Sequence, residues 1–500
     1  TAESAGGEPE EGESYVVFGK ASWAGTASLD LATLNGSNGF RLVGVGEHDY
    51  SGGAVSSAGD VNGDGFADLV VGARYAERPG GTFFEGAGYV VFGKASWAGT
   101  PSLDLASLDG SNGFTLVGIN EDDRAGWSVA SAGDLNGDGL ADVIVNAVLA
   151  ESPGGASEEG ETYVVFGKTS WAGTPSLDLA ALNGTNGFRL VGIDADDYAG
   201  HVAMSAGDVN GDGFDDLIVS APQAESAGGP IYEGESYIVF GKASWSGTPS
   251  LDLASLNGGN GVRLIGVDQR DFSGRSVASA GDVNGDGFAD VIIAAPGAED
   301  EGAGGNKGEG ASYVVFGKAG WTPSLDLASL NGGNGFTLTG IHQYSATGSV
   351  ASAGDVNGDG FDDVIVGAVY AGESYLVFGK ADWAATPTLD FSALDGSNGI
   401  RLIGVDSGDF TGNSVSSAGD VNGDGFDDLV VGASGAEATA AGSGQGESYV
   451  VFGGKFAGAV THLGTAGGDT LAGNADAETF VGGLGNDTMI GNGGAGNDVM

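Results

Sequence analysis

Six segments of this chain repeat one spacing of oxygen-bearing side chains, D-x-N-x-D-G-x-x-D. At positions 1, 3, 5, 7 and 9 they carry Asp60, Asn62, Asp64, Phe66 and Asp68; Asp134, Asn136, Asp138, Leu140 and Asp142; and Asp208, Asn210, Asp212, Phe214 and Asp216. The other three carry Asp282, Asn284, Asp286, Phe288 and Asp290; Asp355, Asn357, Asp359, Phe361 and Asp363; and Asp420, Asn422, Asp424, Phe426 and Asp428. A tight loop turns the side chains at positions 1, 3 and 5 to one side. Gly at position 6 permits the sharp turn. Position 7 then offers its backbone carbonyl, and Asp at position 9 closes the shell. Such a set suits a hard divalent cation, and calcium takes about six to eight oxygens at about 2.3–2.6 Å.

Oxygen donors without His or Cys disfavour zinc and copper. Magnesium keeps its waters and demands octahedral geometry, so it fits less well. An EF-hand would need Glu at position 12 and flanking helices. Position 12 here is Val71, Val219 or Ile293, each inside an apolar run. The loops are therefore read as β-hairpin calcium sites, about six ions in all, rather than ordinary Asn/Asp/Gly turns.

The elements that must hold these loops are repeats. The first Asp falls at 60, 134, 208, 282, 355 and 420, and a second segment, YVVFGK at 15–20, recurs at 89, 163, 237, 313, 375 and 449. In the fourth copy the strand-like runs are SVASAG (276–281), ADVIIAA (289–295), SYVVFG (312–317) and PSLDLASL (323–330), with GVRLIGV (261–267) a further short candidate. Val, Ile, Tyr and Phe dominate, and no run has a helical period. Four antiparallel strands per repeat describe a β-propeller blade, with a stacked solenoid the competing all-β form. The recurring loops and strands favour a closed ring. Residues 1–35 supply only the last two strands of one unit, so the ring is seven-bladed, or six-bladed with an N-terminal extension. The pattern begins and stops in mid-repeat, as in a fragment.

Composition agrees with a large, turn-rich all-β chain. There are 99 Gly among 500 residues, no Cys, and 41% hydrophobic residues. With 17 Lys and Arg against 68 Asp and Glu, the formal charge is −51. A nucleic-acid partner would need a basic surface, and an anionic membrane would repel this one. No stretch is apolar enough to span a bilayer. Without Cys there is no disulfide framework.

The marks DYSGG (49–53), DFSGR (271–275), DFTGN (409–413), SAP (220–222) and AAP (294–296), with the acidic loops and YVVFG, resemble the FG-GAP repeat of integrin α-subunit propellers and their bacterial relatives. The resemblance covers about 1–460, departing at DRAG (123–126) and YSATG (344–348). It implies seven blades with calcium loops on one face and a partner-binding surface on the other. That surface would include 74–88, 148–161, 222–236, 296–311 and 434–447. The tryptophans that follow each FGK, at 23, 97, 171, 245, 321 and 383, are read as packing between blades.

From 464 to 500 the pattern changes to nine-residue units, 464–472, 473–481 and 482–490, with a cut-off GGAGNDVM at 493–500. They resemble the hemolysin-type (RTX) calcium-binding repeat. The resemblance implies the start of a parallel β-roll, with Asp469, Glu478, Asp487 and Asp498 in acidic positions, and type I secretion.

The resulting expectation is a calcium-binding adhesion or interaction module of a large secreted or surface bacterial protein. Its partner would be a protein or glycan ligand on the face opposite the loops. The alternatives are an accessory propeller of a secreted hydrolase whose catalytic domain lies elsewhere, and a passive spacer. No nucleophile elbow or HExxH occurs, and His48, His201, His342 and His462 stand at unrelated places, so the segment itself is not read as an enzyme.

Overall fold

A computed structural model describes residues 11–23, 28–77, 84–151, 158–226, 231–298, 309–340, 347–406, 408–436, 446–454, 456, 462–463, 470–472, 480–481 and 488–490. They form a seven-bladed β-propeller of small, mainly antiparallel sheets. Short 3-10 turns are its only helical elements among these residues.

The fourth blade shows the plan. Ala203–Gly207, Asp216–Ala221, Glu235–Val239 and Gly261–Ile265 pair in sequence order, each antiparallel to the last. Its second and third strands are buried at every residue. A blade's middle strands face a neighbouring blade on both sides, which is why these runs read as continuous Val, Ile and Tyr rather than alternating with polar residues. One alternate set of third-strand side chains packs backward and the other forward. Tyr163 and Val165 join the core shared with the second blade, while Val164 and Phe166 join that shared with the fourth.

Two strand expectations are corrected. GVRLI (261–265) is the fourth strand of the preceding blade, not a marginal candidate. The PSLDLASL run is not a blade strand of its own repeat. Only Ser324–Asp326 is extended, and it adds in parallel to the outer edge of the preceding blade. Asp326 then accepts the Ala328 amide and turns the chain into a 3-10 turn, so no longer strand can form. Likewise the N-terminal unit supplies Glu13–Val17 and Gly39–Val43, which carries it past residue 35.

The ring closes on that first, partial blade. In successive complete blades the lysine after FG donates its amide to the preceding loop, as Lys168 does to the Val61 carbonyl at 3.0 Å. Gly19, the residue before the corresponding lysine on the first blade, lies against the Val421 carbonyl of the seventh, as Gly167 does against that of Val61. The first blade has no inner strands among the described residues, and Glu13–Val17 pairs only with Gly39–Val43. Beside it lies a cavity of about 360 Å³ lined by Val16, Phe18, Phe40, Phe66, Phe92 and Trp97, among others. Val55 of the second blade is 58% exposed, whereas the equivalent Val129 is 5% exposed.

Beyond the ring, His462–Leu463 pairs in parallel with Phe480–Val481, and Thr470–Ala472 with Thr488–Ile490. The partners stand two nine-residue units apart. Asp469, Glu478, Asp487 and Asp498 lie outside the described residues.

Candidate functional sites on the two faces

The acidic loops join the first and second strands of the six complete inner hairpins. In the first of them the Asp60 carboxylate accepts the amides of Gly63 (2.7 Å), Asp64 (3.1 Å) and Gly65 (2.8 Å). Asp64 accepts the amide of Phe66 at 2.9 Å. The same bonds recur around Asp208, Asp282, Asp355 and Asp420. Gly65 holds φ +87, as expected at position 6, and Gly63 at position 4 holds φ +72. Position 4 has a second constraint that sequence reading missed. The position-7 side chain of the next blade lies on it, so a Cβ at Gly211 would fall 2.5 Å from the Phe288 ring.

The Asp at position 9 is fully buried in all six loops. One oxygen of Asp216 accepts the Gly241 amide (2.9 Å) and the other that of Val209 (3.0 Å), tying the loop to the end of the third strand. Burial pushes its carboxyl up to about 8, with Asp212 and Asp208 adding repulsion. Asp142, Asp290 and Asp363 are likewise raised to about 8 by burial, and Asp68 to about 6.

Among the described residues no three His, Asp or Glu side chains converge to hold a metal. The donor set nonetheless fits a hard cation. Asn357 Oδ1, at position 3 of the fifth loop, is buried without any hydrogen-bond partner. Asp68, Asp142, Asp216, Asp290 and Asp363 each face the repulsion of two acidic residues of their own loop.

Trp97, Trp171, Trp245, Trp321 and Trp383 are held between blades, as expected. Trp245 stacks on Phe188 of the preceding blade at 3.7 Å, with Lys242 Nζ 4.0 Å from its ring. Trp97, Trp171 and Trp383 repeat the stack on Phe40, Phe114 and Phe336. Trp321 meets Val262 instead, where the repeat lacks its Phe.

On the opposite face, two connections per blade meet. In blades two to five the segment entering the inner strand holds a buried Asp (49, 123, 197 or 271). It is followed by a residue of positive φ: Tyr50, Arg124, Tyr198 or Phe272. In blades two to four the segment before the third strand has another such residue, Phe84, Glu158 or Tyr232. These strained positions pair. Arg124 N donates to Phe84 O (3.2 Å), the Tyr198 hydroxyl to Glu158 (2.9 Å), and the Phe272 ring stacks on Tyr232 at 5.8 Å. Bulky residues rarely hold positive φ, and such backbone strain clusters where proteins recognise ligands. The frame is constant while the paired side chains differ. Much of the expected upper-face set is described, but 78–83, 152–157, 227–230, 299–308 and 437–445 lie outside the described residues, as does 341–346 of YSATG.

Six segments, 51–91, 125–165, 202–232, 273–315, 347–377 and 407–451, match the FG-GAP repeat family. Integrin alpha pat-2 of Caenorhabditis elegans is 28% identical over 277 residues, covering 52% of this chain and 19% of the relative. Integrin alpha-V of Gallus gallus is 29% identical over 251 residues (48% and 20%). Phosphatidylinositol-glycan-specific phospholipase D of Bos taurus is 30% identical over 223 residues (41% and 24%). The match thus spans about a fifth to a quarter of these curated relatives. Together the repeats and relatives support an integrin-like FG-GAP β-propeller, a fold consistent with a protein-interaction module.

Proposed function

We propose that the chain is a calcium-dependent protein-interaction module that works outside the cell or on its surface. The observation that carries this reading is the division of labour between the two faces. One face repeats a single acidic loop six times, while the other presents side chains that change from blade to blade on a strained, repeated backbone. Loops on a rigid scaffold are the usual carriers of recognition.

In each loop the residues to hold calcium are the Asp at positions 1, 5 and 9, the Asn at 3 and the carbonyl of 7. The ion would supply positive charge to carboxylates that otherwise repel one another. Extracellular calcium modules bind at about 10⁻⁴–10⁻³ M, so these loops would fill outside the cell. The nine-residue units near the C-terminus would add calcium in a β-roll of RTX type. The two-unit offset between its parallel strands supports that reading. Type I export of a bacterial protein goes with it. No helix of the described residues is long and apolar enough to cross a membrane.

Calcium titration of the chain, followed by near-ultraviolet circular dichroism, tests the metal. A fold and melting temperature unchanged in chelator would refute it. Binding to immobilised extracellular matrix proteins and to glycans, with and without Phe272→Ala and Tyr232→Ala, tests the recognition face. Loss of binding in those variants is expected.

The phospholipase D relative favours a second reading, an accessory propeller beside a catalytic domain. Recovery of a hydrolase domain in the same polypeptide would support it. Absence of any rim-sensitive partner would leave a passive spacer.

A further inference from the structure

Among the described residues, every lysine and arginine except Arg74, Arg124, Arg270 and Arg275 falls into one of two sets with plain duties. Lys20, Lys94, Lys168, Lys242, Lys318 and Lys380 each lie over the Trp that follows them. Arg41, Arg189, Arg263 and Arg401 each pair with a Glu of the adjacent strand. Arg74, Arg124 and Arg275 sit on the face opposite the loops, and no carboxylate of the described residues stands within ion-pair distance of them.

These three belong to one contiguous cluster across four blades. Arg124 Cζ lies 5.4 Å from the Tyr75 ring, and Arg74 Cζ lies 5.2 Å from Tyr75 and 5.0 Å from Trp127. Trp127 is 5.9 Å from His201, whose Nε2 is 2.7 Å from Arg275. The Nε atoms of Arg74 and Arg124 are buried with no acceptor. An unpaired buried donor is costly, and a charged one more so. The scaffold does not demand these residues. Arg124 holds φ +57 where other repeats place Tyr50, Tyr198 or Phe272, and Trp127 stands where they place Gly53, His201 or Arg275.

Aromatic faces fix a guanidinium plane and leave its edge donors free, a geometry that matches a carboxylate in bidentate fashion. We propose that Arg74, Arg124 and Arg275, set around Tyr75 and Trp127, form a docking site for Asp or Glu side chains of a partner polypeptide. An apolar flanking residue would rest on Trp127. This deepens, and rests on, the reading of this face as a protein-recognition surface. A dense polyanion is disfavoured because a formal charge of −51 repels many charges more than one or two.

The test uses the full chain in calcium and short extended peptides with paired Asp or Glu beside Leu or Phe. Matched Asn/Gln peptides and a uronic-acid oligosaccharide are the comparison arms, with binding read by fluorescence polarisation. Acidic peptides should bind at least about tenfold more tightly than their amide counterparts, and Arg74→Gln and Arg124→Gln should each weaken them about tenfold. Arg74→Lys should recover only part of the affinity, since a point charge cannot replace the fork, while the melting temperature stays unchanged. Equal binding of the amide peptides, preference for the uronate, or indifference to both Arg variants would overturn the proposal. If acidic peptides fail while a matrix protein still binds and is released by Phe272→Ala, the recognition face stands and only the carboxylate chemistry falls. If no rim variant affects any partner, both fall.

Discussion

Asp215 and Asp134 are joined reciprocally across the interface of the third and fourth blades. The Asp134 amide donates to the Asp215 carboxylate at 2.7 Å, and the Asp215 amide donates back to the Asp134 carbonyl at 3.4 Å. Asp362 accepts the amide of Asp282 (2.7 Å) in the same way, and Asp427 that of Asp355 (3.0 Å). Asp at position 8 is therefore a latch onto the previous loop. Where position 8 is Ala141 or Ala289, its methyl lies beneath Gly59 or Gly207 of the preceding blade instead.

Replacing Asp215 with Ala should cost about 1.5–3 kcal/mol, the worth of one hydrogen bond to a charged acceptor. Asp215→Asn, which keeps an acceptor oxygen, should cost less. Urea unfolding in calcium reads both. Calcium affinity of the loops should stay unchanged, because position 8 lies outside the donor set.

The buried position-9 carboxyls give an unusual pH dependence in chelator. Their folded values, about 8 for Asp142, Asp216, Asp290 and Asp363, lie above the ordinary carboxylate value, so the native state holds more protons than the unfolded chain between about pH 4 and 8. Stability must then fall as pH rises through that window, opposite to the common Asp. Calcium favours the charged form and should abolish or reverse the slope. Thermal melts from pH 4 to 8, with calcium and with chelator, check the sign; parallel curves would contradict it.

Trp245 is 2% exposed and stacked on Phe188. Trp245→Ala should lose about 3–5 kcal/mol, the range for deleting a large core aromatic. Trp321, partly exposed and without a Phe beneath it, should lose less. The difference in urea midpoints between the two variants is the measurement.

Much of the ring was legible because its signals are local and repeated. D-x-N-x-D-G-x-x-D fixes a turn by its own backbone bonds, and the Val- and Ile-rich runs beside it can be buried only between blades. The tryptophan packing was legible for the same reason. What the sequence hid depends on partners far along the chain. Nothing near Gly211 announces the Phe288 ring that lies on it, and Asp215 looks like part of its own loop until Asp134 is seen beside it. Ser324–Asp326 misled because its pairing is parallel and with another blade. The Glu–Arg pairs show a subtler signal: where Glu gives way to Ala87 and Ala311, the cross-strand Arg gives way to Thr115 and Thr337. The cluster around Trp127 was overlooked because this tryptophan stands outside the FGK register.

The open edge of the first blade makes the last prediction. In blades two to six the third strand is hydrogen-bonded on both sides, so Glu161–Val165 exchanges bonds with both Ala147–Val143 and Val191–Gly187. Among the described residues Glu13–Val17 pairs only with Gly39–Val43, and Tyr15 and Val17 are 38% and 41% exposed. Unpaired strand edges beside apolar surface invite further pairing. Amide hydrogens of 13–17 on the open side should therefore exchange far faster than those of 161–165, which can open only by breaking an inner sheet. A hydrophobic reporter dye should bind at the cavity next to Phe66 and Trp97, and Phe92→Trp should reduce that binding by filling it. Hydrogen exchange resolved by mass spectrometry decides the matter: equal protection of the two segments would mean that the edge is covered in solution, and the cavity with it.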